Sequence, residues 1–122
     1  METEIIEALT ARLLASAEFT DVMGTGTACQ LYGGLAPEKA VMPFAVYRVD
    51  EGAQVTKDGA GEYSTVIVLV FPANKYKACL LMKNVVKSAI AVSDFEYLRS
   101  DTAYAEEMDA YVSLVYFTST NK

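Results

Sequence analysis

The densest run of apolar residues, from Glu62 to Phe71, predicts the central strand of a sheet. Every position from Val66 to Val70 is Val, Ile or Leu, and so many β-branched residues favour a strand over a helix. Because successive strand side chains point to opposite faces, Val66, Val68 and Val70 share one face. The opposite face is equally apolar, so we expect both faces of this strand to be covered.

Apolar residues at helical spacing predict two helices. The first spans residues 4–18, with Thr3 as its N-cap and a buried stripe formed by Ile5, Ile6, Leu9 and Leu13. The second begins after Pro72, which ends the strand, and runs from about residue 75 to residue 91 with Asn74 as its cap. Its buried side carries Cys79, Met82, Val86, Ala89 and Ile90.

Period-two patterns predict further strands over Phe44–Asp50, Glu96–Tyr104 and Ala110–Thr118, and Ala28–Tyr32 is a candidate short strand. Strict alternation along 96–104 places Tyr97, Arg99 and Asp101 on one face. The last two strands are joined by an acidic turn, Glu-Glu-Met-Asp, at residues 106–109.

These elements predict a single α+β domain over residues 1–122, an antiparallel sheet of about four strands with two helices packed on one face. Two helices leave the second face of the sheet uncovered. Burying one more Val at an interface is worth about 1.5 kcal/mol. We therefore expect a homo-oligomer, with Val66, Val68 and Val70 as interface candidates.

The connection from Glu51 to Gly61 is longer than a tight hairpin turn requires, and such loops are often functional. We expect it to contact a partner through Gln54, Lys57 and Asp58; a hairpin tip without a function is the alternative. The second helix raises a similar question, because residues 75–87 contain four lysines and no acid. They form either a patch for DNA or an acidic neighbouring subunit, or a solvated helix face, which we favour.

Composition narrows the function classes. The net charge of −6 argues against sequence-independent nucleic-acid binding, and the 52% hydrophobic content fits burial in an oligomer. No apolar run reaches the roughly 18 residues of a membrane span, and the acidic N-terminus differs from a secretory signal, so we expect a cytosolic product without membrane contact. Cys29 and Cys79 are expected to be free thiols rather than a disulfide.

Candidate chemistry is sparse. The chain has no histidine, which removes the commonest general base and metal ligand. Gly24-Thr25-Gly26 lacks both the preceding strand and the following Gly-Lys-Ser/Thr of a phosphate loop, so we interpret it as a turn. The carboxylates of Glu106, Glu107 and Asp109 are close enough in sequence for acid–base chemistry, but a solvated turn is the favoured interpretation. We predict no catalytic residue, metal site or cofactor.

The order of landmarks resembles that of the tail-terminator, or tail-completion, proteins of long-tailed phages and prophages. An amphipathic helix over Ile5–Leu14 leads to Tyr32 and Ala36-Pro37, and Pro43-Phe44-Ala45-Val46-Tyr47 is similar to the family's Pro-aromatic-x-Val-Tyr strand. A long Val/Ile strand ending in Phe71, an Ala/Leu/Val-rich helix and a two-strand hairpin follow, so the resemblance spans most of the chain.

The resemblance implies a structural virion protein that is not an enzyme. Such subunits form a ring, typically a hexamer, which caps the tail tube, ends its polymerisation and contributes to head–tail joining. The implied partners are further copies of the chain, the tail-tube protein and the head–tail connector protein, with DNA only passing through the lumen. The implied location is the virion tail, after assembly in the bacterial cytoplasm.

Two alternatives stay open. Within the structural class, the alternative is another neck component that joins head to tail. From a different class, a small cytosolic dimeric α+β module that binds an apolar ligand or protein partner also fits the composition. The number of subunits distinguishes the two classes, since a dimer favours the ligand-binding module and a ring favours the tail protein.

Overall fold

The fold is known from a computed structural model, which describes residues 2–24, 29–36, 40–55, 61–90 and 95–120. Its elements in chain order are α1 (Glu2–Leu14), α2 (Ala17–Met23), β1 (Leu31–Gly33), β2 (Phe44–Val55), β3 (Gly61–Pro72), a 3-10 turn (Ala73–Lys75), α3 (Tyr76–Ile90), β4 (Phe95–Ala105) and β5 (Ala110–Thr120). The predicted α+β class is confirmed.

The strands form one five-stranded sheet in the order β1-β2-β3-β5-β4. The pairs β2–β3, β3–β5 and β4–β5 are antiparallel, whereas the short β1 runs parallel to β2. After β3, the chain passes through α3 over one face of the sheet and enters the edge strand β4. The last strand, β5, then fills the place between β3 and β4. The sheet thus has one strand more than the predicted four. The edge strand β1 runs parallel to β2, whereas the prediction was an antiparallel sheet.

The predicted first helix is two helices in the structure. Ser16 interrupts it with an extended backbone, and its hydroxyl accepts a hydrogen bond from the backbone N–H of Phe19 at 3.4 Å, so Ser16 is the N-cap of α2. Helix α2 ends at Gly24. The φ of Gly24 is 95°, in the left-handed region, and its N–H donates to the Thr20 carbonyl at 2.8 Å. Thr3, the predicted cap, lies inside α1, and Asn74 lies within the 3-10 turn rather than capping α3.

One face of the sheet and the helices share the main core. The sheet contributes Ala45, Ile67, Leu69, Phe71, Val115 and Phe117, and the helices contribute Leu9, Leu13, Phe19, Met23, Cys79, Met82, Val86 and Ile90. This arrangement confirms that the helices cover one face and that the predicted apolar side of α3 is buried. Fully burying side chains of this size stabilises the fold by about 1.5–3 kcal/mol each.

A bulge in β4 changes which side chains share a face. Tyr97 pairs with Phe117, whereas Arg99 pairs with Tyr116, so Leu98 is an extra residue between two positions that face opposite ways. Tyr97 therefore packs against the helix-covered core, and its ring meets Phe117 edge-on at 6.1 Å. The prediction that Tyr97 shares a face with Arg99 and Asp101 is wrong, because it assumed strict alternation.

The β2–β3 hairpin is longer than predicted. β2 continues past Asp50 to Val55, with a register shift between Glu51 and Gln54, and Gln54 pairs with Glu62 through its backbone. Gln54 thus belongs to a strand rather than to a loop. Lys57 and Asp58 lie outside the described residues, so their predicted contacts stay predictions.

Candidate interaction surface

Among the described residues, the second face of the sheet, opposite the helices, is covered at one end. There Phe44, Val46 and Val70 are buried in a small cluster of their own. A covering segment, defined as residues 34–36 and 40–43, packs on them through Ala36, Ala40 and Met42, beside Tyr32 of the edge strand β1. Val70 retains only 4% of its exposure, so among the predicted interface residues it is already covered within the subunit.

At the other end of this face, no described segment of the chain packs over the sheet. Val66 and Val68 are half-buried, and they line a cleft of about 410 Å³ whose full lining is Arg48, Val49, Val66, Val68, Leu114 and Tyr116. We call this area the open face. Cross-strand pairing brings its apolar residues together, since Val66 is opposite Tyr116 and Val68 is opposite Leu114. The structure therefore leaves Val66 and Val68 accessible to a partner.

Arginines flank the open face on both sides. Arg48 of β2 is opposite Val66, and Arg99 of β4 is opposite Tyr116, so the sheet places four residues in the row Arg48–Val66–Tyr116–Arg99. The Arg99 guanidinium lies over the Tyr116 ring, with its central carbon 4.5 Å from the ring centroid. Arg99 also pairs with Asp101 at 3.6 Å, but both side chains are more than half exposed, at 66% and 57%. This surface pair contributes little stability.

The turn between β4 and β5 presents acids and one apolar side chain. Glu106, Glu107 and Met108 are exposed. Backbone hydrogen bonds hold the turn, from the Met108 N–H to the Ala105 carbonyl and from the Asp109 N–H to the Glu106 carbonyl, each 3.2 Å long. Asp109 has a positive φ of 50°, which suits the short polar side chain of Asp. The predicted acidic turn is confirmed.

A side-chain hydrogen bond closes this turn. The Tyr104 hydroxyl donates to Asp109 Oδ1 at 2.5 Å, and this bond is the main reason why the pKa of Tyr104 is raised above its ordinary value. Tyr104 also packs against Tyr111, with ring centroids 5.4 Å apart. Among the described residues, no group of three or more metal-type ligands is placed together.

A second cleft, of about 430 Å³, lies at the β1 edge of the sheet and is lined by Ile6, Gly33, Gly34, Tyr47, Arg48 and Val49. Gly33 allows the Tyr47 ring to cross its backbone closely, since a Cβ added at Gly33 would lie 2.6 Å from Tyr47 Oη. The cleft has no cluster of titratable groups, and we assign it no function.

The two cysteines are free, as predicted. Cys79 is buried, and its Sγ lies 3.2 Å from Ser113 Oγ, which in turn lies 2.8 Å from Thr102 Oγ1. Burial raises the pKa of both Cys79 and Cys29, so their thiols are protonated near neutral pH and are poor nucleophiles. These thiols are structural features of the core and its margin.

The lysines of residues 75–87 differ in their surroundings. Lys87 Nζ lies 4.2 Å from the centroid of the Tyr97 ring, so its charge is engaged within the subunit. Lys75 and Lys77 are exposed at the other end of the helix. Whether these lysines meet DNA or another subunit stays a prediction.

Comparison with known proteins gives a match at the level of structure. No protein-family model and no curated protein match the sequence. The fold is similar to that of a chain in the structure described as the virion of a native gene transfer agent (GTA) particle, with a TM-score of 0.74 and 17% sequence identity. The similarity covers 95% of this chain and 93% of that chain. None of the helices in the described ranges is long and apolar enough to cross a membrane. The chain therefore has, over nearly its whole length, the fold of a chain in a gene transfer agent virion.

Proposed function

We propose that this protein is a structural subunit of a phage-like virion and that it forms the ring that caps the tail tube. The observation that carries the proposal is the match to a virion chain at a TM-score of 0.74 over 95% of the present chain. A match of nearly equal coverage on both sides, 95% and 93%, means that the two chains share the whole fold rather than one common motif.

The open face supports assembly. A subunit that leaves Val66, Val68, Leu114 and Tyr116 around a cleft keeps apolar surface available to another chain. Transferring such side chains from water into an interface stabilises an oligomer by about 25 cal/mol per Å² of apolar area. The arginines beside this surface add the polar rim that protein interfaces commonly have.

In the proposed role the ring ends tube polymerisation and offers its other side to the head–tail connector protein. The β2–β3 hairpin, including Gln54 and the predicted contacts Lys57 and Asp58, would meet the tail-tube protein or a neighbouring copy. DNA passes through the lumen without being read, and a net charge of −6 per chain disfavours its retention there. The role needs no catalysis and no cofactor, and it places the protein in the virion tail after assembly in the bacterial cytoplasm.

The test combines oligomer order with tube length. Native mass spectrometry over a range of concentration should show a ring, with a hexamer as the expected size. Added to polymerising tail-tube protein encoded in the same gene cluster, the chain should shorten the tubes seen by electron microscopy and label one end only. Tubes of unchanged length with no terminal density would contradict the proposal.

A second candidate function is a dimeric module that binds an apolar ligand or protein partner. The cleft of about 410 Å³ on the open face favours it, because its size suits a small ligand. A dimer whose mass does not change with concentration, together with displacement of an apolar fluorescent probe from the cleft, would favour this function over the ring.

A further inference from the structure

We propose that the open face of one copy binds the acidic β4–β5 turn of the next copy, with Met108 seated in the cleft and Glu106 and Glu107 paired with Arg48 and Arg99. The inference rests on the proposed ring and names the contact that would hold it together. Its occupant is a second copy of this chain.

Charge complementarity is the first argument. The chain is acidic overall, at −6, yet the row across the apolar centre of the open face ends in an arginine on each side, Arg48 and Arg99. Two acids of β4 lie on the same face, Glu96 and Asp101, and Asp101 pairs with Arg99 at 3.6 Å, so an incoming carboxylate competes with Asp101 for Arg99, whereas Arg48 lies at the opposite end of the row from both acids. Arg48 and Arg99 are separated by three strand spacings, about 14 Å at the backbone. Arg99 already leans inward over Tyr116, with its guanidinium carbon 4.5 Å from the ring centroid. Long Arg and Glu side chains shorten the remaining distance from both partners.

The turn has the matching chemistry. Within the described part of the chain, it joins adjacent carboxylates at Glu106 and Glu107 to an exposed apolar side chain at Met108, which keeps 43% of its surface accessible. Met adapts well to an irregular apolar cleft. The Tyr104–Asp109 hydrogen bond and the two backbone bonds hold the turn in one conformation, so little entropy is lost when it binds.

The fold prevents the turn from occupying its own open face. The turn ends where β5 begins, at Ala110, whereas Tyr116 lies six residues further along the strand, about 20 Å away. The covering segment occupies the intervening part of that face over Phe44 and Val70. The contact is therefore between two different surfaces of two copies, and such heterologous contacts form a ring when the rotation closes.

Charge reversal on each surface tests the contact. A face variant carries Arg48→Glu and Arg99→Glu, and a turn variant carries Glu106→Arg and Glu107→Arg. Each variant alone meets itself with like charges, so its dissociation constant by native mass spectrometry or light scattering should rise about tenfold or more. An equimolar mixture should regain oligomers, because every contact in an alternating ring then joins opposite charges. One chain with both pairs reversed should also regain them.

A matched control changes the same number of charges elsewhere. Glu7→Arg with Asp21→Arg alters two exposed acids of the helical layer and should leave the oligomer unchanged. Circular dichroism and thermal melting of each variant separate loss of assembly from loss of fold. Met108→Lys should weaken assembly as the reversals do, whereas Leu81→Lys, at an exposed apolar position of α3, should not.

The outcomes distinguish the contact from the function. Rings that survive both charge reversals would overturn the contact and leave the tail-capping proposal standing. Wild-type rings that obey the charge swap but do not cap tubes would overturn the function and leave the contact standing. A chain that stays monomeric with and without tubes would overturn both.

Discussion

Ser113 is a polar residue in the centre of β5 that faces the helix-covered core. It is fully buried, and its hydroxyl lies within hydrogen-bonding distance of both Cys79 Sγ and Thr102 Oγ1. A buried hydroxyl is tolerated when it is partnered in this way. The alternation along 110–118 placed Ser113 on a face with Val115 and Phe117, but its partners come from α3 and β4 and could not be found by periodicity.

Replacing Ser113 with Ala should lower the free energy of unfolding by about 1–2 kcal/mol, because Thr102 and Cys79 lose a shared partner in the core. Urea denaturation followed by circular dichroism measures the change. Ser88→Ala, on the exposed side of α3, is the matched control and should change stability by less than about 0.5 kcal/mol. Equal effects for the two variants would contradict this role for Ser113.

Gly33 is required for lack of space rather than for its backbone conformation, because a side chain at this position would collide with Tyr47. Tyr47 crosses its backbone so closely that Gly33→Ala should lower stability by about 1 kcal/mol through overpacking, the low end of the usual range because the atoms met are the hydroxyl end of one side chain. The same substitution made in a Tyr47→Ala background should have a much smaller effect, since the added Cβ then meets no ring. Thermal melting of the four proteins in this cycle gives the coupling, and purely additive changes would contradict the close contact.

At the scale of elements, the bulge at Leu98 decides the composition of the open face. Because Tyr97 and Arg99 pair with Phe117 and Tyr116, one extra residue lets the aromatic ring join the core while the arginine reaches the opposite face. Patterns of alternation cannot reveal a bulge, since the pairing that shows it involves another strand. The division of the first predicted helix has a different origin, because Ser16 is a residue typical of N-caps and its capping bond is local, a signal that apolar spacing alone does not register.

Deletion of Leu98 should be tolerated. Regular alternation would then still place Tyr97 opposite Phe117 and Arg99 opposite Tyr116, so stability should change by less than about 1 kcal/mol. Deletion of Ser100 removes the bulge in the other sense and moves Arg99 to the core-facing side, which costs more because a charge loses water. Thermal melting of the two deletion variants measures the difference. A more harmful Leu98 deletion would contradict this description of the bulge.

At the scale of the whole molecule, the chain divides its second sheet face into a covered end and an open end. The covering segment buries Phe44, Val46 and Val70, while Val66 and Val68 stay accessible beside two arginines. The chain thus carries both an apolar surface whose central row ends in Arg48 and Arg99 and an exposed acidic turn. This division is the basis for the proposed head-to-tail contact.

If opposite charges guide this contact, assembly should weaken with salt. Raising the ionic strength from about 0.05 M to 0.5 M shortens the screening length to a few ångströms, so the oligomer should dissociate at higher protein concentration. Light scattering of a dilution series at both salt concentrations measures the protein concentration at which half of the oligomer has dissociated, and this concentration should be higher at high salt. The doubly reversed chain should show the same dependence, whereas strengthening by salt would indicate that apolar burial alone drives assembly.

Local sequence patterns are enough to predict the α+β class, the central Val-rich strand, the apolar side of α3, the acidic turn and the free cysteines. Each of these follows from local spacing, burial preference or residue chemistry, which a single chain segment carries. Long-range pairing and packing, by contrast, place β5 between β3 and β4, make β1 parallel to β2, cover Val70, and set Arg48 and Arg99 at the two ends of the row through Val66 and Tyr116. Those features depend on pairing and packing between residues far apart in the chain, and no local pattern encodes them.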